Sequence, residues 1–189
     1  ISKIDFDLLS REFAHTRRKN LLLRDLDELV NQQLAKMLFA NPQRIDYYDR
    51  YQEIIDAYNA EQNRATIEKT FMDLMELASS LDTEQQRYVR EGFSSDEELS
   101  VYDLLFSENL TKQEIETIKK VSVDLLTKIK QQIAKLDHWT DKQETKAIVD
   151  NLIRNTLWQE LPNSYDVSDI QTYQKKIYEY VYMRYPEVA

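Results

Sequence analysis

Apolar residues recur along most of this chain at three- and four-residue intervals, the spacing that lines them up on one face of an α-helix. Phe6, Leu9 and Phe13 set the first such face over residues 5–14. Residues 22–40 repeat it with Leu26, Leu29, Val30, Leu34, Met37 and Leu38, and Asn41-Pro42 stops the run. Residues 45–60 place Tyr47, Tyr48, Tyr51, Ile54, Ile55 and Tyr58 in a third helix, and residues 64–81 place Ile67, Phe71, Leu74, Met75 and Ala78 in a fourth. Asp82-Thr83 reads as a cap for a fifth over 83–91, which Gly92 closes. A sixth spans 96–106 after Ser94-Ser95 and buries Leu99, Tyr102, Leu105 and Phe106.

The longest stripe follows. Thr111 with Glu114 three residues on makes a capping-box pattern, and Ile115, Ile118, Val121, Leu125, Ile129, Ile133 and Leu136 carry one face through 111–136. Residues 137–158, DHWTDKQETKAIVDNLIRNTLW, form an eighth helical run. It has Ile148, Val149, Leu152 and Ile153 at its centre and Lys142, Lys146, Asp150 and Arg154 on a polar face. Leu161-Pro162-Asn163-Ser164 is a turn. The last helix begins near Val167 with one stripe at Ile170, Tyr173, Ile177 and Val181 and a second at Tyr178, Tyr182 and Tyr185, so it is expected to make contacts on two sides. The pattern therefore predicts an all-α, multi-helix bundle of about nine helices with one long connecting helix and no β-sheet.

Composition sharpens this. One Gly and three Pro among 189 residues leave almost nothing for hairpins or phosphate loops. The absence of Cys excludes disulfides and thiolate metal sites and fits a reducing, cytoplasmic setting. No run reaches the roughly 20 apolar residues of a membrane span, and the first residues lack the order of a signal peptide, so no membrane partner is expected.

A net charge of −9 argues against a broad nucleic-acid surface, but the charge is uneven. Residues 82–108 hold eight acids against Arg87 and Arg90, whereas residues 111–136 hold six lysines against three acids. Lys112, Lys119, Lys120, Lys128 and Lys130 on that helix, with the basic run Arg17, Arg18 and Lys19, are thus candidates for duplex DNA contact. A solvated loop is the plainer reading of the Arg17 run, because short basic runs are common on surfaces.

Catalytic patterns fail on context. Glu144-Thr145-Lys146 has the residue types of a magnesium-dependent nuclease, but it lies in a helical run of a chain with no strand to converge it with other acids. His15 and His138 lack zinc-site spacing, and one glycine cannot build a P-loop. No cofactor is expected. The positive local chemistry is aromatic and cationic: both tryptophans bracket 137–158, Arg154 stands four residues before Trp158 where it can stack on the indole, and Asp150 stands four before Arg154 where it can pair with it.

The runs RIDYYDRYQEIIDAYNAE, TIEKTFMDLMELASSLD, EELSVYDLLFSENLTKQEIETIKKVSVDLLTKIK, DHWTDKQETKAIVDNLIRNTLW and YQKKIYEYVYMRY resemble the C-terminal third of type I restriction enzyme R subunits, over essentially the whole chain. The resemblance implies a parent that is an ATP-dependent DNA translocase and endonuclease, with ATP and magnesium confined to motor and nuclease domains that would precede this chain. It implies a non-catalytic fragment, with a helical region over 1–110 bracing the motor domains, a connecting helix over 111–136, and a docking module over 137–189 that joins the methyltransferase and specificity core. The docking residues it suggests are Trp139, Lys142, Lys146, Arg154, Trp158, Tyr178, Tyr182, Arg184 and Tyr185. The competing expectations are duplex guiding by the basic helix 112–135 and, more distantly, an unrelated helical adaptor.

Overall fold

The computed structural model describes residues 5–61 and 63–186. Among them the chain is all-α, with nine α-helices, one 3-10 turn at Pro42–Arg44 and no strand. The chain divides into two compact units, Ile1–Arg87 and Tyr88–Ala189.

The first unit contains α1 (Phe6–His15), α2 (Lys19–Ala40), α3 (Ile45–Ala60) and α4 (Arg64–Gln85). Asp5 caps α1 by accepting from the Leu8 N–H, and Asn63 caps α4 by accepting from the Thr66 N–H. α4 is the central member, packed against α2 and α3, and its Phe71, Leu74, Leu77, Ala78 and Leu81 are fully buried. Phe13 of α1 stacks on Phe71 with ring centroids 3.7 Å apart, and Tyr51 of α3 donates to Asp27 of α2 at 2.7 Å.

The helix predicted to stop at residue 81 continues to Gln85. Asp82 caps nothing; it accepts from Gln33 of α2 at 2.9 Å. The extra turn carries Glu84 inward, where it meets the buried Arg44 guanidinium at 3.0 Å and Arg87 at 2.8 Å. That tertiary pairing outweighs the local cap signal of Asp82-Thr83. The helix expected over 83–91 shrinks to α5 (Arg87–Arg90). Gly92, at φ +84°, turns the chain after it, with the Phe93 N–H donating to the Tyr88 carbonyl at 2.8 Å.

The second unit contains α6 (Asp96–Leu105), α7 (Lys112–Ile133), α8 (Gln143–Glu160) and α9 (Val167–Arg184). Thr111 and Glu114 form the capping box read from the sequence, and Asp166 with Asp169 forms another at the start of α9. α7 spans about 33 Å. It packs on α6 and α8, and its Ile118, Val121, Leu125, Leu126, Ile129 and Ile133 are buried. The divisions expected after residues 110 and 136 both fall inside this unit, because the α7 stripe is covered along its length by α6, α8 and the residues they carry. The outermost parts of those expected segments, 1–4 and 187–189, lie outside the described residues.

Arg44 and Glu84 are almost completely removed from water, with side-chain exposures of 3% and 9%. Deleting one member of such a pair strands the other charge, so Glu84→Ala is expected to destabilise the first unit by about 3–5 kcal/mol. Urea denaturation followed by circular dichroism checks this, and a loss below about 1 kcal/mol would show that the pair is solvated after all.

Candidate docking surface

The link between α7 and α8, residues 134–142, brings Trp139 against the aromatic groups at the end of α9. The helix expected through 137–158 does not begin until Gln143, and Trp139 sits in a run of turns where His138 takes a left-handed φ of +44°. Trp139 is 1% exposed. Its indole N–H donates to the backbone carbonyl of Tyr185 at 2.6 Å, reaching from the α7–α8 link to the end of α9. Tyr178 and Tyr182, one helical turn apart on α9, meet the indole edge-on at 6.2 and 5.7 Å between centroids. The Thr145 hydroxyl donates to the Trp139 carbonyl at 2.7 Å, tying the same link to the first turn of α8.

The sequence-assigned docking residues thus separate into two groups. Trp139 and Tyr185 are inside, and Tyr178 is half-buried. Lys146 sits 5.7 Å above the Tyr182 ring, and Lys142 stands at the N-terminal cap of α8. Arg184 lies within 4.0 Å of Glu97 of α6. On the outer face, Arg154 and Trp158 are exposed, Trp158 to 58%. The expected Asp150–Arg154 pair does not form, because Asp150 turns toward α9 and accepts from Gln174 at 2.8 Å. Nor does Arg154 stack on Trp158 among the described residues; both side chains are exposed.

Ile148, expected in the core, is 43% exposed. Its row along α8 passes through Glu144, Asn151 and Asn155, whereas Val149, Ile153, Thr156 and Leu157 turn inward. The polar residues three and seven positions on are the signal that Ile148 faces out. Met183, 69% exposed beside Tyr182, carries no such signal. The outer face of α8 thus presents Ile148, Arg154 and Trp158.

The candidate DNA residues on α7 are largely engaged. Lys119 pairs with Glu91 at 3.2 Å, Lys128 bridges Asp124 at 2.5 Å and Glu160 at 2.6 Å, and Lys130 pairs with Glu97 beneath the Tyr185 ring. Hydrogen bonds that Lys128 donates to Asp124 and Glu160 raise its pKa above its ordinary value. Lys112 and Lys120 remain exposed. In the first unit, Arg17 and Arg18 are exposed ahead of α2, and Lys19 bonds Glu68 at 3.0 Å. Among the described residues no group of three or more His, Cys, Asp or Glu is placed to hold a metal ion, and no helix is long and apolar enough to cross a membrane.

The second unit is thus an all-helical unit with an aromatic hub at the end of α9, and comparison with known families places the chain. The profile of the family "Type I restriction enzyme HindI endonuclease subunit-like, C-terminal" matches residues 1–185, and the chain belongs to that family. No curated protein and no solved structure matches the chain.

Replacing Trp139 by Phe keeps most of the apolar contact but removes the N–H, leaving the Tyr185 carbonyl buried without its donor. The expected cost is about 1–3 kcal/mol, read as a lower denaturation midpoint with unchanged helix content. A neutral effect would mean that the hydrogen bond contributes nothing to holding the end of α9.

Burial pushes the phenols of Tyr173, Tyr178 and Tyr180 up from their ordinary value, with carboxylates such as Asp169 beside Tyr173 and Asp150 beside Tyr178 adding to it. Tyr165 and Tyr185 are raised in the same direction, again mainly by burial. A raised folded pKa means that the fold prefers the protonated phenol, so this stability is complete below about pH 10 and is lost as pH climbs toward the folded values. Thermal midpoints are expected to hold steady from neutral pH to about 9 and to fall above about 10, with tyrosinate absorbance rising as the protein unfolds. Tyrosinate absorbance that develops fully while the helices remain intact would contradict the burial of these rings.

Proposed function

We propose that this chain is the non-catalytic helical part of a type I restriction subunit, and that its second unit docks the subunit onto the methyltransferase and specificity core. The observation that supports this reading is the outer face of α8. It sets Trp158, Arg154 and Ile148 in solvent on a helix whose other side is fully occupied by α7 and α9. Tryptophan and arginine are the side chains that most often carry binding energy between proteins, and neither is needed here for folding. The first unit, with its own core around α4, is proposed to brace the neighbouring motor domains. Its helices offer no glycine-rich loop for nucleotide chemistry, since Gly92 is the single glycine. Trp139 and Tyr185 act in this reading from within, by fixing α8 relative to α9. A cytoplasmic setting is part of the same proposal.

The alternative of duplex guiding by α7 has less support. Its lysine surplus is offset by Glu91, Glu160 and Glu97, brought to Lys119, Lys128 and Lys130 by neighbouring turns and helices.

Trp158→Ala is expected to leave the denaturation midpoint within about 0.5 kcal/mol of the parent, as exposed substitutions do. The same change should weaken capture of a methyltransferase and specificity complex at least about tenfold, as removal of an interface anchor does. Undiminished capture by the folded variant, and by Trp158→Ala combined with Ile148→Asp, would remove the assignment.

A further inference from the structure

Four cationic side chains from the α1–α2 link and the starts of α2 and α4 line one hollow in the first unit. Arg17 and Arg18 lead into α2, Lys19 opens it, and Arg64 opens α4; Asn20 adds a polar wall and Ile67 an apolar one. The hollow has a volume of about 650 Å³, and among the described residues no Asp or Glu lines it. Glu68 is the acid bonded to this group, accepting from Lys19 at 3.0 Å and from Arg64 at 3.2 Å. It offsets one charge of four. Arg17 and Arg18 are exposed and make no ion pair among the described residues.

The setting makes this surplus informative. The chain as a whole carries −9, and where α7 holds extra lysines the fold brings acids to three of them. Here the fold gathers cations from the α1–α2 junction and the start of α4 without an equal number of acids. Like charges held around a concave surface raise the local potential and attract a counter-anion. The guanidinium fork of arginine matches the paired oxygens of a phosphate, and two of the three arginines in this hollow are not bound to any carboxylate among the described residues. α2 also begins with no acid in its first turn and no side-chain cap.

We propose that this hollow binds the phosphate backbone of duplex DNA. The choice of nucleic acid rests on the chain's family, part of a restriction endonuclease subunit. The binding chemistry rests on the hollow alone. A single inorganic phosphate would occupy little of this volume, whereas a duplex offers a row of backbone phosphates to a cationic surface. Contacts of this kind position a duplex and read no sequence.

The test uses the 189-residue chain with a fluorescein-labelled duplex of arbitrary sequence, followed by anisotropy across a salt series. Binding is expected at low salt and is expected to weaken steeply as salt rises. Arg17→Ala with Arg18→Ala should shallow the slope of log affinity against log salt by about 0.9 for each phosphate that is no longer neutralised. Arg17→Glu with Arg18→Glu should lower affinity at least about tenfold. Glu68→Gln, which releases Lys19 and Arg64, should raise it. The control is Lys36→Glu with Lys135→Glu, which makes the same change in net charge at exposed positions, with Lys36 about 25 Å along α2 from Lys19.

A control as damaging as the Arg17 and Arg18 reversal would overturn the proposal, since only overall charge would then matter. Absence of duplex binding by the parent chain at low salt would overturn it too. So would inorganic phosphate at low millimolar concentration displacing the duplex completely, which would mark a site for a free anion. Capture of the methyltransferase complex by the Arg17 and Arg18 variants is expected to be unchanged, so failure of this inference and failure of the docking reading are separately visible.

Discussion

The hydrogen bond from the Trp139 indole to the Tyr185 carbonyl is the constraint on which the second unit depends. It joins residues 46 positions apart in the chain, and it does so inside the core, where neither partner can turn to water instead. With the indole held there, Tyr178 and Tyr182 pack edge-on against it, Thr145 ties the start of α8 to the same loop, and the end of α9 is fixed against α8. A buried donor with one acceptor within reach admits few arrangements of the three elements around it. The outward direction of Trp158 and Arg154 follows, because α8 is held on its inner side by Val149, Ile153 and Leu157.

The first unit solves the same problem with a charge pair. Arg44 and Glu84 are buried together, and Glu84 reaches Arg44 only because α4 runs a further turn past Leu81. Such a pair contributes modest net stability while penalising any packing that separates its members. Across both units, cations on inward-facing or flanking positions are matched by acids from other elements: Lys19 by Glu68, Arg50 by Glu76, Lys128 by Glu160, Lys130 by Glu97. Against that habit Arg17 and Arg18, exposed and in no ion pair among the described residues, stand out.

Two surfaces stand out on this member of a type I restriction endonuclease subunit family. The two faces differ in their physics. The α8 face sets Trp158 and Ile148 among Arg154, Asn151 and Asn155, whereas the hollow at the α1–α2 junction is lined by four cations. They lie in different units of the chain, so each can be altered without disturbing the core that carries the other.

Helix content, the order of the elements and most of the inward faces were determined by the sequence alone, since 3.6-residue periodicity and the caps at Thr111, Asn41-Pro42 and Gly92 are local properties of the chain. The resemblance that named the family was also legible there. What only the tertiary structure decided is where long-range partners overrule local signals. Asp82-Thr83 reads as a cap but lies within α4 because Arg44 draws Glu84 inward. Trp139 reads as the start of a helix but turns into the core because Tyr185 offers it an acceptor. The lysine count on α7 reads as a basic strip but is offset by acids from neighbouring elements, and Ile148 reads as core but faces out because Val149 and Ile153 already fill the contact with α7 and α9. Periodicity can place a residue on a face of a helix; which face meets a partner depends on groups tens of residues away, and their positions are set only when the helices pack.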